Sequence, residues 1–140
     1  MFGTDGKDMV WTYVEGPLGD YKYDKMDVMT APYTTEASQV QARRLRSDVK
    51  AFDPHSWVVG CGYAARPAGL DDPYQNALFI VRLSDGVSWI LSGTNEPPKN
   101  QWGLPLGITC DEVFTTVSQK PSVRILRIRL DSLGPGTPPD

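Results

Sequence analysis

The strongest patterning along the chain lies in "ALFIVRLSDGVSWILSG", Ala77 to Gly93. Two apolar runs flank Asp85-Gly86, a pair that tolerates the positive φ angles of a type I′ turn. A hairpin closed there would set Arg82 opposite Trp89 and Val81 opposite Ile90, with an Arg–Trp cation–π contact. One face of its first strand carries Phe79, Val81 and Leu83, and the other Leu78, Ile80 and Arg82. Both faces are largely apolar, which predicts a strand at the centre of a sheet.

Met9–Val14 and Tyr21–Met29 are aromatic and β-branched runs joined by a Gly/Pro-containing stretch, the pattern of a hairpin with a longer loop. Thr30-Ala31-Pro32-Tyr33 is expected to break the chain. From Thr34 to Phe52 the spacing predicts a helix. Thr34 is placed to cap it, Glu36 suits its positive end, and Ala42, Leu45, Val49 and Phe52 share one face. Arg43, Arg44 and Lys50 lie off that face, and Asp53-Pro54 ends the helix.

"WVVGCGYAAR", Trp57 to Arg66, reads as a strand, followed by an irregular stretch, "RPAGLDDPYQN". A long Pro/Gly loop runs from Thr94 to Gly107 and holds Trp102. Thr109 and Glu112 have the spacing of a capping box, Ile108 can staple onto Val113, and Cys110, Val113, Phe114 and Val117 recur at helical spacing. These signals predict a second helix from Thr109 to about Gln119. "SVRILRIRL" then alternates as a strand, with Arg124, Leu126, Ile128 and Leu130 on one face and Val123, Ile125, Arg127 and Arg129 on the other.

The order β–β–α–β–β–β–α–β shows no repeat and no linker. It predicts one α+β domain over residues 1–133, with two helices on a mostly antiparallel sheet of about five to six strands. The closing "GPGTPPD", residues 134–140, would be a flexible tail unless something holds it.

Composition narrows the class. At 140 residues, with 40% hydrophobic and 22% charged positions, the chain is long enough to bury a core without metal or disulfide. Its two cysteines read most simply as buried, reduced thiols, although Cys61 could pair with Cys110. The net charge of −3 gives no general attraction to nucleic acid or anionic membranes, and no apolar run is long enough to span a bilayer. The first residues lack the basic start and apolar core of a secretory signal, so a cytoplasmic location, or a virion, is expected.

Gly60, Gly62 and Ala65 are spaced as in a dinucleotide-binding turn. Pro67, Gly69 and Pro73 follow at once, so the helix that must hold the pyrophosphate has no room to start. Cys61 and the lone histidine, His55, are the candidate catalytic pair, yet in extended chain they stand roughly 20 Å apart. No ligand cluster has zinc or calcium spacing, and no cofactor is expected.

The over-supplied chemistry is that of contact surfaces: Trp11, Tyr13, Tyr33 and Trp102, with Arg43, Arg44, Arg46, Arg127 and Arg129. The expected function is therefore non-catalytic protein–protein interaction or self-assembly, as in a small virion or tail-assembly component or a toxin-neutralising partner. Two alternatives are a small Cys/His enzyme under the Pro-rich loop and a nucleic-acid module using the first helix's arginines.

Overall fold

The computed structural model describes residues 2–13, 26–49, 57–69, 76–92, 101–119 and 122–139. Among them the chain is built of antiparallel strands, with 3-10 turns at Ala37–Gln39 and Leu130–Ser132 and no α-helix. Sheet I runs in the order β1 (Phe2–Thr4), β2 (Asp8–Tyr13), β3 (Met26–Pro32), β4 (Arg43–Val49). Sheet II follows as β5 (Val58–Gly60), β6 (Tyr63–Gly69), β7 (Asn76–Arg82), β8 (Ser88–Ser92). Sheet III is ordered β11 (Ser122–Arg129), β10 (Glu112–Gln119), β9 (Gln101–Ile108). The α+β expectation is thus overturned in favour of an all-β arrangement.

The middle sheet explains that arrangement. Ala77, Phe79 and Val81 of β7 pack with Val10, Val28 and Leu45 of sheet I. Leu78 and Ile80, on the opposite face, pack with Trp89 and with Val113 of sheet III. A strand apolar on both sides needs cover on both sides, and burying each such side chain stabilises the fold by about 1.5–3 kcal/mol. Helices could have provided the cover; here two further sheets do. The expected centrality of the 77–83 strand holds.

Neither expected helix forms among the described residues: residues 34–42 are irregular around the 3-10 turn Ala37–Gln39, Arg43–Val49 and Glu112–Gln119 are strands, and residues 50–52 lie outside the described residues. Arg43–Val49 of the first pairs with β3 across two register shifts, and Leu45 and Arg46 are both buried there. Helix spacing in this stretch is real but weak, and pairing with β3 overrides it. In the second, Val113, Thr115 and Val117 are buried while the positions between them are half-exposed, which is a period of two. The "EVFTTV" run is rich in β-branched and aromatic residues, and that preference decides. Thr109 still does the chemistry expected of a cap: its Oγ1 accepts from the N–H of Asp111 (3.3 Å) and Glu112 (3.1 Å). It closes a hairpin turn, with Thr109 N–H donating to Glu112 O at 2.9 Å.

Other expectations shift by smaller amounts. Of the expected runs Met9–Val14 and Tyr21–Met29, Met9–Tyr13 pairs antiparallel with Asp27–Met29 and on to Ala31, while Val14 and residues 21–25 lie outside the described residues, and β3 runs on to Pro32 instead of breaking at Thr30. Arg66-Pro67-Ala68-Gly69 continue β6, where irregular chain was expected. Pro67 is tolerated because, among the described residues, β5 pairs only with Tyr63–Ala65 of β6, and no described strand there calls on an N–H at position 67. Residues 101–107 of the expected Pro/Gly loop are strand β9, lying against β5, β6 and β7, and residues 94–100 of it lie outside the described residues.

The Asp85-Gly86 hairpin forms in a different register. Ile80 faces Trp89 and Val81 faces Ser88, and Arg82 N–H donates to Val87 O at 2.8 Å. The loop holds four residues because Asp85 is engaged from both sides. Its Oδ1 accepts from Val87 N–H (3.1 Å) and Arg82 Nε (3.0 Å), and only Gly86 takes a positive φ, 75°. The cation–π contact survives on the diagonal, with the Arg82 guanidinium 5.5 Å from the Trp89 ring centre.

The type I′ geometry appears instead inside "WVVGCGYAAR". Gly60 pairs with Tyr63, and the two residues between them, Cys61 and Gly62, have φ of 49° and 80°. Gly60 allows a close approach, since a Cβ there would collide with the carbonyl oxygen of Ile108. That approach brings the β5–β6 tip against the β9–β10 tip, and Cys61 is disulfide-bonded to Cys110 with Cα atoms 5.1 Å apart. Both residues are exposed, so the expectation of buried, reduced thiols is overturned.

The C-terminal residues are held by the chain itself. Ser88 and Thr137 exchange backbone hydrogen bonds of 3.0 and 2.8 Å, and Trp89 Nε1 donates to Gly134 O at 3.1 Å. Arg46, 5% exposed, donates from one guanidinium nitrogen to Gly86 O (3.1 Å) and Thr137 O (2.9 Å). It ties sheet I to the β7–β8 turn and to the C-terminal segment.

Two stability changes are expected. Closing a loop with a sequence separation of 49 contributes about 4 kcal/mol in the chain-entropy model. Reduction, or the C61A/C110A variant, should therefore lower the urea midpoint markedly without changing the folded far-UV spectrum. Arg46→Ala leaves the buried Gly86 carbonyl and the Thr137 carbonyl without their charged donor and should cost about 2–3 kcal/mol. Hydrogen exchange at the Thr137 amide would rise in that variant before exchange in β7 does.

Candidate functional site

The outer face of sheet I gathers several contact residues from separate parts of the chain. In register, Phe2 of β1 lies opposite Trp11 of β2, Trp11 opposite Met29 of β3, and Met29 opposite Arg44 of β4. Side chains of one cross-strand row share a face, so these four form a continuous band. Tyr13, two residues beyond Trp11 on the same face, is 53% exposed, and Phe2 is 57% exposed. Trp11 and Met29 are half-buried and form the floor of the band.

The sequence-derived aromatics divide accordingly. Trp11 and Tyr13 belong to the band. Tyr33 is exposed beyond the end of β3, its N–H donating to Lys7 O at 2.9 Å, and lies at the other end of the β2–β3 pair from Tyr13. Trp102 sits in β9 of sheet III, in register with Val117. Phe2 was missed. Its signal was the "TDGKD" turn after it: Asp5 Oδ1 accepts from Lys7 and Asp8 N–H at 2.9 Å each, and that turn folds β1 onto β2.

The arginines do not form one cluster. Arg43 donates to Leu83 O and Arg46 to Gly86 O and Thr137 O, so both bind the backbone of neighbouring segments. Arg44 is exposed and belongs to the sheet I band. Arg127 and Arg129 lie on the outer face of sheet III. Arg127 makes a two-point ion pair with Glu112 (3.0 and 2.7 Å), and Arg129 one with Asp131 (3.1 and 2.9 Å). The helical arginine cluster required for nucleic-acid binding is absent, because the helix itself is strand β4.

Cys61 carries no thiol, since its sulfur is bonded to Cys110, and His55 lies outside the described residues. No free cysteine occurs among the described residues, and no group of three or more His, Cys, Asp or Glu side chains there is placed to hold a metal ion. Among the same residues, no helix is long and apolar enough to cross a membrane. No family model, no curated protein and no solved structure matches the chain.

The exposed ion pairs set an acid response. The Arg127 guanidinium holds the Glu112 carboxyl below its ordinary value, and Arg82 does the same for Asp85. The Asp8 N–H, with smaller contributions from other backbone N–H groups, lowers Asp5. Groups lowered on folding stabilise the protein above their unfolded pKa, about 4 for carboxyls, and lose that contribution as pH falls through the folded value. Stability should stay level with respect to these carboxyls from neutral pH to near 5 and decline below about 4. Glu112→Gln should make the decline in urea midpoint shallower, and 1 M salt should reduce the difference between the two proteins.

Proposed function

We propose that the protein is a non-catalytic interaction or assembly component whose contact surface is the Phe2–Trp11–Met29–Arg44 band. The single observation carrying this reading is that four strands contribute one aromatic, apolar and basic row to an outer sheet face. Aromatic side chains and arginine dominate association hot spots, because they combine large contact area with a directed polar group. The partner fitted to the band is a protein surface offering an apolar patch beside a carboxylate that Arg44 can bind in two points. An exposed disulfide at the hairpin tips also suits an oxidising setting better than the reduced cytoplasm expected from the sequence.

The test separates surface from fold. A Phe2→Ala/Arg44→Glu double variant changes two exposed side chains, so its urea midpoint should match the parent. In extract of the source cells, the parent should sediment in a complex larger than its own 15.5 kDa. The variant should lose that complex, with affinity reduced about tenfold to a hundredfold. A parent that sediments at 15.5 kDa both in buffer and in extract would overturn the proposal.

A further inference from the structure

The C-terminal segment has a burial pattern of its own. Leu133, Gly136 and Pro139 are half-buried, and the pairs between them, Gly134-Pro135 and Thr137-Pro138, are exposed. One inward residue in three is the period of a polyproline II helix, which makes no internal hydrogen bonds and leaves its backbone groups to a receptor. The sequence favours that conformation. Pro135, Pro138 and Pro139 fix φ at about −65°, and Thr137 and Pro138, each preceding a proline, are restricted to extended backbone. Pro135 and Pro138 also have the P-x-x-P spacing of segments that dock in aromatic-lined grooves.

The surface beneath the segment meets it in that manner. Trp89 Nε1 donates to Gly134 O at 3.1 Å. Ser88 exchanges two backbone hydrogen bonds with Thr137, and the buried Arg46 guanidinium donates to Thr137 O at 2.9 Å. Gly136 lies so close to the floor that a Cβ there would collide with Val87, Ser88 and Trp89, and Pro139 lies against Gly86. Gly134, with φ of 70°, turns the chain into the groove. These hydrogen bonds all fall on backbone atoms of the segment, and the steric demand is for a missing side chain at Gly136. None of the described strands includes residues 134–139, so the segment can leave without unpairing a sheet.

We infer that the groove formed by Arg46, Gly86–Ser88 and Trp89 is a recognition site for polyproline II segments, in which the C-terminus stands in for a proline-rich segment of a partner protein. A partner with the pattern G-P-G-x-P-P supplies the same contacts, since they use backbone carbonyls, one backbone N–H and a glycine. A second copy of this chain fits less well as the donor. Its Leu133 is packed in the Trp89 core, and the arm beyond reaches only about 25 Å, so two grooves would have to lie almost against each other. Tethering holds the cis segment at an effective concentration on the order of millimolar, which turns away weak ligands and yields to tight or multivalent ones. The groove lies outside the Phe2–Trp11–Met29–Arg44 band, and the inference does not depend on it.

Peptide binding to the full-length chain tests this. Gly136→Val releases the segment through the collision described above and leaves the groove residues unchanged. A synthetic peptide of residues 134–140, GPGTPPD, should bind this variant and return the Trp89 indole N–H resonance to its parental position. The parent should bind the same peptide at least about tenfold more weakly, because its groove is already filled. The peptide carrying Gly136→Ala should bind neither. In the parent, millimolar peptide should also speed hydrogen exchange at the Thr137 amide, a readout that needs no variant to fold. A folded Gly136→Val chain that ignores the peptide, equal binding of the Gly136→Ala peptide, or a Thr137 amide indifferent to millimolar peptide would each overturn the inference. Dimerisation of the parent that Gly136→Val abolishes would give the groove to the segment of a second copy and overturn a separate partner. All of this is read on the purified chain, so its failure leaves the band, tested in extract, standing.

Discussion

Strand β7 has no polar face to offer water, and the architecture follows from that constraint. Phe79 and Val81 on one side and Leu78 and Ile80 on the other are each buried in a separate core. A single sandwich would leave one of those faces wet, at a cost of several kcal/mol for the side chains involved. Placing β7 inside the middle of three sheets removes both faces from water. The outer sheets then present one face inward and one to solvent, and it is on those outward faces that contact chemistry collects.

The layers are joined at their turns as well as through their cores. Gly60 lets the β5–β6 tip approach Ile108 closely, and the Cys61–Cys110 bond fixes sheet II to sheet III there. Arg46 reaches from sheet I to Gly86 and Thr137, fixing it to the β7–β8 turn. A charged head buried at such a junction is stable because carbonyl oxygens receive its N–H groups. The C-terminal segment adds a short cover to the β8 edge through Ser88, while β11 forms the edge of sheet III among the described strands.

How far the sequence could be read depended on which physics decided each segment. Residues 77–83 were legible because a continuous apolar run constrains burial whatever the fold. Residues 34–52 and 109–119 were misread because a helix-compatible spacing and a capping-box pair are local signals, and both stretches answer to neighbours distant in sequence. Leu45 meets sheet II, and Val113 meets Leu78 and Ile80. Thr109 shows the ambiguity at atomic scale, since the same hydroxyl that would cap a helix closes a hairpin with the same acceptor chemistry. Of the contact residues, Trp11, Tyr13 and Arg44 were legible as residue types. Their shared face was not, because it depends on strand pairing between residues 2 and 44 that no local pattern encodes.

The cysteine pair also divides the chain mechanically. The covalent ring between Cys61 and Cys110 encloses β6, β7, β8 and β9, while sheet I, β5, β10 and β11 lie outside it. A pull on the two chain ends can peel and straighten the outer segments, but the 49-residue separation inside the ring stays shorted. Roughly 170 Å of contour length is thereby withheld from extension until the bond is reduced. Strands β6, β7 and β8 of the middle sheet, all inside the ring, are thus the part of that layer that tension reaches last.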